Sequence, residues 1–91
     1  MCSSDLYFAG LTYLDMGQTA QAEAALQRAA DSHDRGQAAL AKMALASVYR
    51  QTGRTGQAVD LYQQLIKNPT STVPASAAKL QLAQLDRKSV V

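Results

Sequence analysis

Residues 39–67, ALAKMALASVYRQTGRTGQAVDLYQQLIK, decide the fold. On either side of Gly53, apolar side chains recur at three- and four-residue spacing, which is how a helix with one buried face is written. The stretch reads as two short amphipathic helices folded back on each other. Gly53 stands where the first must stop, because a left-handed residue commonly closes a helix and glycine adopts that conformation without a steric penalty. Within the stretch, Leu45, Ala46, Tyr49, Gly53, Ala58 and Tyr62 form a spaced set.

Upstream the same set recurs. Ala9-Gly10, Tyr13, Gly17, Ala22, Leu26 and Ala29 stand thirty-six residues before Leu45-Ala46, Tyr49, Gly53, Ala58, Tyr62 and Leu65. Downstream, Ala78-Lys79-Leu80 and Leu82-Ala83 repeat Ala41-Lys42-Met43 and Leu45-Ala46 at an offset of thirty-seven. The match ends at Asp86, where a further tyrosine is due.

Five helices are expected. The first runs from about Leu6 to Met16 and is closed by Gly17; the second spans Thr19 to Ala30, with Thr19 placed to cap it. Its inner stripe is Ala22, Ala25, Leu26 and Ala29. Asp31-Ser32-His33-Asp34 is a polar connector. The third helix, Arg35 to Gln51, carries Leu40, Met43, Ala44, Leu45, Val48 and Tyr49, which cover too much of the circumference for one buried stripe. It is therefore expected to be contacted on two sides. The fourth, capped by Thr55, runs to Lys67 and stops at Asn68-Pro69, because proline lacks an amide hydrogen and restricts the residue before it. The fifth is expected over Val73 to Leu85, with Pro74 in its first turn.

Composition bounds what such a chain does. Its 91 residues make at most one small domain, 47% of them apolar, with alanine dominating and aromatics at 5%; this favours helix over sheet. A net charge of +2 with both signs interspersed gives no surface that tracks phosphates, so nucleic acid is not expected as a partner. No run of about 18 apolar residues is present, so no direct membrane insertion is expected, and no basic start leads into an apolar core as in a signal peptide.

The two ends look foreign. Asp86-Arg87-Lys88-Ser89 can be encoded by GAT CGG AAG AGC, and the reverse complement of that string, read after a T, encodes Cys-Ser-Ser-Asp, the residues at positions 2–5. The string resembles a sequencing-library adapter read through from both sides of a short insert. The expectation is a repeat domain over residues 7–85 inside a longer protein, with 1–6 and 86–91 non-native. Cys2 then says nothing about redox compartment.

The internal repeat resembles the tetratricopeptide repeat (TPR), a helix-turn-helix unit of about 34 residues that stacks into a right-handed solenoid. The resemblance covers residues 7–85, about two and a half units, and implies an all-α array of antiparallel helix hairpins. It pairs a small residue of the first helix with an alanine of the second, Gly10 against Ala22 and Ala46 against Ala58. Tyr13, Tyr49, Leu26 and Tyr62 take the large positions. Departures are plain: Leu6 and Lys42 stand where the signature has tryptophan, Leu65 replaces a small residue, and the closing proline is displaced. The long spacing and the Val73–Leu80 stretch look most like bacterial envelope TPR proteins of the ancillary-translocon-subunit and Tol-Pal cell-division-coordinator types. Such proteins are often held at the inner membrane by an N-terminal helix, which would put this domain on the periplasmic face.

No catalytic constellation is legible. His33 sits on a connector with Asp31 and Asp34, where carboxylates serve as helix caps; a metal site needs three or four converging ligands. A Cys/His pair would rest on Cys2. Gly53-Arg54-Thr55-Gly56 joins two helices and lacks the ending of a phosphate loop. No enzyme activity, cofactor or metal is expected. What remains is a surface. The resemblance implies a concave groove lined by Tyr7, Leu11, Leu14 and Asp15, by Leu40, Met43, Ser47, Arg50 and Gln51, and by Leu80, Gln81 and Gln84. Lysines and asparagines that grip a peptide carboxylate in some TPR groups are absent there. An apolar or amphipathic helix or extended peptide is therefore expected, oriented by Arg50 and Gln84. The alternatives are self-association, in which this surface packs against other repeats or a second copy, and a regulatory domain of a larger envelope protein or enzyme.

Overall fold

The computed structural model describes residues 3–89, with side-chain surroundings for residues 5–85. Cys2, Val90 and Val91, at the foreign-looking ends, lie outside the described residues. Every regular element among them is a helix: α1 (Ser3–Asp15), α2 (Thr19–Ala30), α3 (Arg35–Gln51), α4 (Thr55–Lys67) and α5 (Ala75–Ser89). Each helix packs on the next, and α1 also touches α3. That contact between alternate helices stacks the hairpins instead of closing them into a bundle.

The two turns are built alike. Gly17 and Gly53 have φ of 78° and 81°. Gln18 N donates to Tyr13 O at 2.8 Å and Gly17 N to Leu14 O at 3.0 Å. At the second turn, Arg54 N donates to Tyr49 O at 2.7 Å and Gly53 N to Arg50 O at 3.3 Å. Both are Schellman closures around a left-handed glycine. They also correct one expectation. Thr19 and Thr55 are first helical residues, not caps; Gln18 and Arg54 hold the cap positions and make no side-chain cap bond. A turn this short moves the cap one residue earlier than the threonine. At α3 the cap is Asp34, whose Oδ1 accepts from Gly36 N at 3.0 Å and Gln37 N at 3.3 Å.

The end helices differ from their expected bounds. α1 starts at Ser3, ahead of Leu6, and carries Asp5 in its first turn, where a carboxylate complements the helix dipole. α5 starts at Ala75, not Val73. Thr70 N donates to Val73 O and Val73 N to Thr70 Oγ1, both at 3.1 Å, so Val73 is held in the loop, and a residue before proline resists helical geometry in any case. The Pro74 carbonyl instead accepts from Ala77 N at 3.0 Å. No breaker follows Leu85, and α5 continues to Ser89.

The core is made of small residues clamped by a few large ones. Ala22, Ala41, Ala46, Ala58 and Ala78 are fully buried, and Tyr62, Leu26 and Val48 are the largest fully buried side chains. α3 buries Ala38, Ala39, Ala41, Leu45, Ala46, Val48 and Tyr49, so it is covered on two sides. At Gly10, a Cβ would lie 2.5 Å from Leu26 Cγ and 2.6 Å from Leu26 Cδ2. The neighbour that demands glycine is thus Leu26, one turn beyond the Ala22 named from the repeat pairing.

A polar clip joins the hairpins. Arg54 pairs with Glu23 of α2, its Nη1 reaching Oε2 at 3.2 Å, and its guanidinium lies 4.7 Å from the Tyr49 ring centre. Tyr49 Oη in turn accepts from Gln27 Nε2 at 3.1 Å. The hydrogen bond to Glu23 raises the Arg54 pKa above its ordinary value; desolvation opposes this, and the charges of Glu23 and Tyr49 add to it. Arginine stays charged at any ordinary pH, so the cation of this clip does not titrate near neutrality.

Candidate functional site

Residues four apart on one helix share a face, and a hollow between parallel helices takes one such row from each side. Here the rows Tyr7/Leu11 of α1, Leu40/Ala44 and Met43/Ser47 of α3, and Ala77/Gln81 of α5 wall one concavity of about 330 Å³. Tyr62 of α4 forms part of its floor, and Thr72 and Val73 form a lip. The loop is fixed there: Thr72 Oγ1 donates to Gly36 O at 2.8 Å, and Val73 is 2% exposed.

The structure brings together six of the residues named from sequence, namely Tyr7, Leu11, Leu40, Met43, Ser47 and Gln81. It separates the rest. Leu14 is half-buried against the main core cluster. Arg50 is engaged, its Nη1 donating to Gln81 Oε1 at 3.0 Å, so it braces α3 against α5 and is not a free orienting cation. Leu80, 59% exposed, and Gln84 form the next row round α5 from Ala77 and Gln81, exposed and outside the lining of the hollow. Asp15 and Gln51 are exposed and take no part in it.

Sequence reasoning missed Ala44, Tyr62, Thr72, Val73 and Ala77 as lining residues. Helix periodicity marks Tyr62 only as core, and nothing local shows the loop folding over α3. Tyr62 carries an oddity: its ring is fully buried, and its Oη has no hydrogen-bond partner. The lining is otherwise apolar with scattered uncharged polar groups, and no carboxylate or free cation enters it. Such a surface offers shape and apolar contact, with the Tyr7, Ser47 and Thr72 hydroxyls as its polar points.

Other chemistry is sparse. His33 is exposed, and Asp34 is occupied as the α3 cap. Among the described residues, no three His, Cys, Asp or Glu side chains converge to hold a metal. No described helix is long and apolar enough to cross a membrane. Comparison with known families finds a match to the tetratricopeptide repeat over residues 8–72. Neither a curated protein nor a solved structure matches the chain.

Proposed function

The chain belongs to the tetratricopeptide repeat family, whose members generally mediate protein–protein interaction, and from that premise we propose that it is a non-catalytic binding module holding an apolar peptide or amphipathic helix in the concavity between α1, α3 and α5. One observation carries this reading. Side-chain rows from three separate helices meet in a single hollow large enough for several side chains, lined by Leu11, Leu40 and Met43 and free of charge. A partner with an apolar stripe at helical or alternate spacing buries that stripe there, while Ser47 and Gln81 meet its polar atoms. The partner's charges stay at the rim. The repeat spacing and the Val73–Leu80 stretch, through their resemblance to envelope TPR proteins, support a membrane-anchored parent that carries this groove.

A phage-displayed library of random dodecapeptides, panned on the purified chain, tests this. Apolar peptides should be enriched, and Met43→Glu should weaken each by tenfold or more while leaving helicity intact. Peptides that bind Met43→Glu as well as wild type would refute the groove.

A second reading is favoured by the two ends of the array. Phe8 is 61% exposed and Leu80 59%, and a further hollow of about 350 Å³ opens across Leu6, Ala9 and Tyr13 on the first hairpin, with Asp5, Gln21 and Arg28 also in its lining. The counterparts of Ala9 and Tyr13, thirty-six residues on, are Leu45 and Tyr49, which are 4% and 7% exposed because α2 packs over them. Self-association through these faces predicts a mass that rises with concentration in a light-scattering dilution series. A monomer throughout leaves the peptide groove as the working surface.

A further inference from the structure

We propose that a second, smaller hollow, between the first half of α3 and the end of α4, binds a small anionic group, a carboxylate or a phosphate. It shares no lining residue with the groove, so it stands whether or not the groove binds a peptide. Its volume is about 140 Å³, room for a group of a few heavy atoms. Arg35 and Lys42, two helical turns apart on α3, reach it from one side; the Gln64 and Asn68 amides and Thr70 reach it from the other.

No carboxylate lines the hollow. Among the described residues the one ion pair joins Arg54 to Glu23, so neither Arg35 nor Lys42 is neutralised by an acidic side chain there. Asp34, next to Arg35 in sequence, is already committed to the Gly36 and Gln37 amides. Asp60, one turn before Gln64 on α4, is exposed and outside the lining. Two unneutralised cations on one concave surface repel each other and attract an anion placed between them.

The loop side of the hollow is fixed before anything binds. Thr70 and Val73 close the loop on each other through two hydrogen bonds of 3.1 Å. Thr72 Oγ1 latches the loop to the Gly36 carbonyl at 2.8 Å. Gly36 permits that approach, since a Cβ there would lie 3.2 Å from Thr72 Cγ2. Lys42 is half-buried, where solvent screens its charge less than at an open surface. The loop that carries Thr70 is thus in place before an anion arrives, while the exposed Arg35, Gln64 and Asn68 side chains close on it as it binds.

The test titrates isotope-labelled protein with inorganic phosphate and, separately, with acetate, at ionic strength held constant with sodium chloride, and follows backbone amides by NMR. Saturable shifts should cluster at Lys42, Asn68 and Thr70, and the stronger of the two anions identifies the chemistry. Each cation at about 4 Å in a water-like dielectric changes affinity roughly fivefold, so Arg35→Gln with Lys42→Gln should weaken binding by tenfold or more without altering the remaining spectrum. Arg35→Lys should retain binding. Shifts that do not saturate, that spread evenly over the other lysines and arginines, or that persist unchanged in the double variant would overturn the proposal.

Discussion

Gly10→Ala is the sharpest test of how the first hairpin is held together. The added methyl would sit 2.5 Å from Leu26 Cγ and 2.6 Å from Leu26 Cδ2, whereas apolar carbons rest at about 3.5–4.0 Å. An overlap of an ångström or more must be relieved. Leu26 is fully buried, so relief takes either a new Leu26 rotamer inside the packed core or a movement of α1 off α2. Overpacking of this kind costs about 1–3 kcal/mol. Alanine returns about 1 kcal/mol through helix propensity, which blurs the net value. Gly56→Ala removes the blur. Gly56 is helical and exposed, and a Cβ added there would have nothing within 4 Å, so only the propensity gain remains. The two alanine variants should therefore differ by about 1–3 kcal/mol in urea unfolding followed by circular dichroism, with Gly10→Ala the weaker. A double-mutant cycle closes the reasoning. Leu26→Ala alone should cost about 2–5 kcal/mol, yet combined with Gly10→Ala it should cost less than the sum by about 1 kcal/mol or more, because the clashing atoms are gone. A Gly10→Ala protein as stable as Gly56→Ala, or strict additivity in the cycle, would refute the close approach.

Three further outcomes follow from the same geometry. Gly53→Ala forces a φ of 81° on a residue with a Cβ, and should cost about 1–2 kcal/mol although the new methyl touches nothing; thermal melting reads it as a lower midpoint. Asp34→Ala removes the acceptor for Gly36 N and Gln37 N, and should cost about 1 kcal/mol, with faster amide exchange confined to the first turn of α3. Tyr62→Phe keeps the buried ring and removes an oxygen that has no partner, so stability should hold or rise by up to about 1 kcal/mol; a clear loss in urea unfolding would show that the hydroxyl is paired after all.

Particular residues show how far the sequence could be read. α2, α3 and α4 follow the expected spans because their ends are written locally, by Asp34 as a cap, by Gly53 as a left-handed stop and by Asn68-Pro69 as a breaker. The start of α5 was not written that way. Val73 looks helical by its apolar character, but its partner is Thr70, three residues back in a loop that must first close over α3. The site divides on the same line. Spacing on one helix marks Tyr7 with Leu11 and Met43 with Ser47 as pairs on a face. It does not say which row of α5 turns toward them, and the structure turns Ala77 and Gln81 inward and Leu80 outward.

Periodicity, two turn glycines and a set recurring at thirty-six residues determined the hairpins and their order, because helix formation and closure depend on neighbours within a few positions. Tertiary structure alone decided that Leu26 fills the space above Gly10, that Arg50 spends its charge-bearing arm on Gln81, and that Arg35 and Lys42 share a hollow with Asn68. Those are distances between residues remote in the chain, set by how closely small side chains let the helices approach and by the rotation each helix takes to fill its core.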